Sequence, residues 1–167
     1  MSGPGGYKNL RAMEILVRNG QRKYKIDSRQ FKKRLGIVLE TLEQNTSELS
    51  VLLTTDRKIK ELNGQYRNLD QPTDVLSFPQ DSAAVNEKGI PLLGDVVISV
   101  ETAARQAEEH LLTLDEELAL LAIHGILHLR GLDHERSRKE ARQMQQQTRD
   151  LFTLIFPGRQ PSGTSNF

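Results

Sequence analysis

Residues 113–134 read TLDEELALLAIHGILHLRGLDH, and the packing of this stretch decides the fold. Thr113 and Glu116 have the spacing of a capping box, in which two side chains satisfy two backbone N–H groups of the first helical turn. Leu118, Leu120, Leu121, Ala122, Ile123, Ile126 and Leu127 follow, so a helix running to about Arg130 is apolar nearly all round. A helix of that kind belongs at the centre of a core, not on its surface.

The polar exceptions on this helix are informative. His124 and His128 lie four residues apart, so they project from one face, about 6 Å apart along the axis. Gly131 stands three residues after His128. A glycine there can adopt the left-handed conformation that ends a helix and turns the chain back. That turn can bring His134 to a third corner. Each buried imidazole costs free energy unless it finds a partner. Three core histidines, each bound to backbone, would be one solution, but a single shared cation serves all three. Three histidine ligands leave a fourth position for water, the arrangement of a catalytic zinc, and the expected stoichiometry is one ion per chain. The fourth histidine, His110, is read as a surface helix residue. There is no Cys, which excludes a disulfide scaffold, a thiolate zinc cluster and a cysteine nucleophile. The same histidine spacing occurs in metzincin proteases, which carry a glutamate as general base directly after the first histidine. Here that position is Gly125, so ordinary peptidase chemistry lacks its base.

Working outward, MEILVRN from Met13 reads as a strand, and Asp27 with Gln30 as a capping pattern ahead of a helix with Phe31, Leu35, Val38, Leu39 and Leu42 on one face. A strand over Leu49 to Thr54 follows. Asp56 is then placed to cap a helix with Ile59, Leu62 and Tyr66 on one face. Pro72 and Pro79 bracket a short apolar run suited to an edge strand. Residues 80–91 read as a loop, GDVVISV as a strand, Glu101 to Leu112 as a helix, and about 135–155 as a polar last helix. The order β-α-β-α-β-β-α-α-α gives an α+β fold: one domain over 13–156, with a mixed β-sheet packed by helices. Residues 1–12 are expected to be a flexible leader and 157–167 a disordered tail.

The chain has 167 residues, 37% hydrophobic and 27% charged, which suits one soluble globular domain. No apolar run reaches the roughly 18 to 20 residues of a membrane span, and residues 1–12 lack the apolar stretch of a signal peptide, so the expected compartment is the cytoplasm. Residues 1–34 hold ten Lys/Arg against two Asp/Glu, while 35–167 hold thirteen against twenty. This +8 and −7 split suits a polyanionic partner, or a solvated basic face.

HGILHLRGLDH at 124–134, with NGQYRNLDQPTDVLSFP at 63–79 and LGDVVIS at 93–99, resembles the YbeY family of bacterial and organellar endoribonucleases. The likeness covers nearly all of 13–155. It implies an α+β fold distantly like the zincins, with the metal-binding helix central. It implies a hydrolase of single-stranded RNA that matures ribosomal RNA, notably the 3′ end of the small-subunit RNA, and serves ribosome quality control. Zinc on His124, His128 and His134, a catalytic role for Arg67, and the small ribosomal subunit as partner follow from the same resemblance. Arginine suits that role, because its planar fork of donors matches a phosphate. The alternative for Arg67 is an exposed helix end pairing Asp70. Asp133 is placed either to orient a ligand imidazole or to cap the last helix. Thr73, Asp74 and Ser77 are candidates for the cleft wall, or ordinary turn formers. A peptidase with its base supplied from elsewhere is the competing function.

Overall fold

The computed structural model describes residues 13–44, 46–66, 73–81 and 83–162, together with the backbone of Arg67. Its elements follow the expected order: β1 (Glu14–Asn19), α1 (Ser28–Thr41), β2 (Glu48–Thr54), α2 (Asp56–Arg67), β3 (Val75–Pro79), β4 (Leu92–Ser99), α3 (Val100–His110), α4 (Leu114–Leu129) and α5 (Arg138–Ile155). The sheet order is β1-β2-β4-β3. β1, β2 and β4 run parallel, so each pair needs a crossover, and β3 pairs antiparallel at the edge beside β4. Pro79 ends this edge strand, where a missing N–H is tolerated. The chain is therefore an α+β protein with a mixed sheet.

α4 is the centre of the molecule, as its composition requires. Leu118, Ala119, Ala122, Ile123, Ile126 and Leu127 are fully buried. The helix packs against α1, α3 and α5 and against β3 and β4. Its approach to the sheet is close at Gly125, where an added Cβ would lie 2.7 Å from Val96 Cγ1 and 3.2 Å from Ser77 Oγ. Ser77 uses that closeness to donate a hydrogen bond to the Gly125 carbonyl at 3.1 Å. The other sheet face is covered near β3 and β4 by α2, with Ile59, Leu76 and Val97 buried together.

Local signals held at the Thr113 and Asp27 caps. The Thr113 hydroxyl and the Glu116 carboxylate complete a reciprocal box, and Asp27 accepts from the Gln30 N–H at 3.0 Å. Three expectations need correction. Asp56 does not cap α2. Thr55 does, accepting from the Lys58 N–H, while Asp56 turns to Ser99, Thr102 and Arg105. Tyr66 does lie on the α2 face of Leu62, with its ring edge-on to Phe78, and is 66% exposed. The last helix starts at Arg138, capped by Ser137, three residues later than expected. Finally, residues 157–162 of the expected tail make defined contacts. Arg159 forms a two-pronged ion pair with Glu116 at 2.8 and 3.0 Å, and the Ser162 N–H donates to the His110 carbonyl. A composition of Pro, Gly and polar residues hid this docking, because its anchors, the Glu116 carboxylate and backbone carbonyls of residues 109–111, are distant in sequence. Residues 1–12, expected as a leader, and 163–167 lie outside the described residues.

Candidate metal centre

The end of α4 builds the site. Gly131 has φ +96°, and two hydrogen bonds close the helix: Gly131 N–H to His128 O at 2.9 Å and Leu132 N–H to Leu127 O at 3.1 Å. These are the paired bonds of a Schellman ending, which needs a left-handed residue where only glycine sits without strain. The reversal carries residues 132–134 back over the last turn. His124, His128 and His134 then converge, with one ligand atom from each all within 4.8 Å of one another. The ring centroids are 4.9 to 5.5 Å apart.

The donor set fits a borderline ion such as zinc, which takes imidazole nitrogen at about 2.0–2.1 Å. Burial, helped by the neighbouring His128, pushes His124 down to about 4. The ring is therefore neutral at pH 7, the form that coordinates a metal. His134 is the outermost of the three, 43% exposed.

The three imidazoles stand in a cleft of about 650 Å³. Thr73, Asp74, Ser77 and Phe78 line its β3 side, and Asp133 and Arg136 the other. Ser77 is partly a structural residue, since its hydroxyl bridges to Gly125. Asp74 accepts from the Val75 N–H at 2.8 Å and from Gln106 Nε2 at 3.3 Å, and its charge acts on His124. Asp133 does not cap the last helix, and its charge acts on His128 and His134. Its Oδ1 accepts from the Glu135 N–H at 2.9 Å, which holds its carboxyl below the usual range, and Ser137 is the cap of α5. Arg67 is the last residue of α2, and its side chain lies outside the described residues.

Sequence reasoning missed a polar cluster behind this site. His110, expected at the surface, is 15% exposed and stands 2.7 Å from the fully buried Glu117. Glu117 precedes His124 by seven residues, two helical turns, so helical periodicity places it on the metal face. That spacing was the available signal.

Fold and cleft together define an α+β protein with a three-histidine candidate metal centre at the end of its central helix. The sequence profile of the family described as Endoribonuclease YbeY matches residues 16–155, and the chain belongs to that family. It is similar to the Endoribonuclease YbeY of Geobacter sulfurreducens, with 39% identity over 147 residues, 87% of this chain and 98% of that protein. It is also similar to the Endoribonuclease YbeY of Persephonella marina, with 50% identity over 118 residues, 71% of this chain and 76% of that one. Among solved structures, the solution structure of TM1509 from Thermotoga maritima aligns with TM-score 0.60 at 28% identity, covering 87% of this chain and 99% of that one. Among the described residues, no helix is long and apolar enough to cross a membrane.

Proposed function

We propose that this chain is a zinc-dependent endoribonuclease that cleaves single-stranded RNA. Its place is in maturation of ribosomal RNA at the 3′ end of the small-subunit RNA and in ribosome quality control, acting with the small subunit in the cytoplasm. Residues 13–156 form the metallohydrolase domain. One observation carries the reading: in a member of this family, three imidazoles converge in an open cleft at the end of a buried helix.

A zinc ion held by His124, His128 and His134 would supply a bound water with its pKa lowered to about 7. The chain's own residues do the rest. Arg67, at the end of α2, supplies paired N–H donors for the phosphate and the charge that develops on it. Arg22, Lys23, Lys25, Lys32 and Lys33 are exposed, and they offer counter-charge to the RNA backbone.

Gly125 favours RNA over peptide as substrate. The position that would hold a protease's glutamate base faces Val96 at a distance that admits no side chain. The test is cleavage of single-stranded RNA beside a casein control, with and without a chelator. RNA cleavage that stops on chelation and returns with zinc supports the reading; casein hydrolysis without RNA cleavage overturns it. Analysis of the product ends separates attack by hydroxide from attack by the neighbouring 2′-hydroxyl, which leaves a cyclic phosphate.

A further inference from the structure

Behind the metal cleft, α3 and α4 bury a set of polar groups that the proposed chemistry does not use. Glu117 is fully buried on the helix face that carries His124. Its Oε2 meets His110 Nδ1 at 2.7 Å, and its Oε1 is buried without a hydrogen-bond partner among the described residues. Gln106 precedes His110 by one turn on α3, so the two share a face. Its Nε2 donates to Asp74 Oδ2 at 3.3 Å, while its own Oε1 is also buried without a partner. Two buried acceptors that lack donors, on two helices packed together, are a costly arrangement. A single proton shared between them would resolve both.

We propose that Glu117 carries that proton, donates it from Oε1 to the Gln106 carbonyl oxygen, and thereby makes Gln106 the residue that positions the Asp74 carboxylate on the wall of the metal cleft. The bond would fix the Gln106 amide with its oxygen toward Glu117 and its NH₂ toward Asp74. Asp74 then has Oδ2 held by Gln106 and Oδ1 held by the Val75 N–H and the Thr73 hydroxyl. Its negative charge is thus fixed beside the imidazoles, where it favours a bound cation.

The electrostatics agree. Burial raises the Glu117 carboxyl above the ordinary range, and the charges of Asp74 and Glu109 raise it further, against the lowering effect of His110. Glu117 and Gln106 are positioning residues here, because neither lines the cleft.

This inference deepens the proposed metal site and rests on that reading, so its test reads the network without RNA as well as with it. Isotope-edited infrared spectra of metal-free protein at pH 7 should show a protonated carboxyl band that disappears in Glu117→Gln. Glu117→Gln should keep wild-type zinc affinity, since its NH₂ replaces the donor, whereas Glu117→Leu should lose about 10-fold or more, as outer partners of metal ligands do. Gln106→Leu should lose a similar factor, and nothing further when Asp74→Asn is already present, because its effect runs through Asp74. RNA cleavage should follow the same pattern. The absence of the band overturns the proposal. So does a Glu117→Gln variant as defective as Glu117→Leu, and so does additivity between Gln106→Leu and Asp74→Asn. Should the network behave as stated while no RNA is cleaved, the proposed function falls and this inference stands.

Discussion

The two ends of α4 treat their polar groups in opposite ways. At the N-terminal end, Glu116 is nearly buried, yet it bonds the Thr113 N–H and both prongs of Arg159. Those bonds, the Arg159 guanidinium first, hold its carboxyl down at about 2. At the C-terminal end, three imidazoles turn toward one another around an open cleft. The first end locks the helix to its neighbours with a matched charge pair. The second gathers three donors of one kind, an arrangement that a ligand completes. One helix therefore carries a structural end and, on the proposed reading, a functional end, and variants at the two ends should fail differently.

The largest expected effect is at the functional end. His128→Ala should lose its bound metal, dropping from about one ion per chain to near none, by more than the roughly 10–100-fold that loss of an outer partner costs. Metal analysis after dialysis checks this, and full occupancy in both His128→Ala and His134→Ala would break the comparison. Next, Arg67→Ala should keep metal and fold while cleavage falls on the order of 10²-fold, and Arg67→Lys should recover only part of it. If Arg67 is merely a partner of Asp70, activity should persist and stability should change by less than about 1 kcal/mol.

Gly125→Ala sharpens the contrast from the middle of the helix. Its new Cβ meets the stiff, branched side chain of Val96, so the melting curve should show a loss of about 1–3 kcal/mol. An unchanged melting temperature would show that α4 can lift from the sheet.

The smallest effect is at the structural end. The Glu116 carboxyl is held at about 2 against an ordinary 4.5. Its pairing therefore stabilises the fold above about pH 4.5, and that contribution fades as pH falls toward 2. Arg159→Gln should melt earlier than the parent at neutral pH, with the gap closing over that acid window. A constant gap from pH 7 to 2 would remove the ion pair as its cause.

Much of this was readable in the chain itself. The apolar run from Leu118 to Leu127 determined a buried helix, the spacing of His124, His128 and Gly131 determined two histidines on one face and a turn, and the alternation of strands and helices determined the element order. These are local facts, set by a 3.6-residue period and by the conformations open to glycine. Tertiary structure alone decided the pairings between distant residues. Asp56 serves Ser99 and Arg105 instead of its own helix, Arg159 reaches back to Glu116, and Gln106 reaches Asp74. Nothing local marks such partners, because a carboxylate or amide takes whichever donor the packed fold brings to it. The three histidines of the candidate metal centre could be read from eleven consecutive residues, but the contacts around them, such as that of Gln106 with Asp74, join segments far apart in the chain.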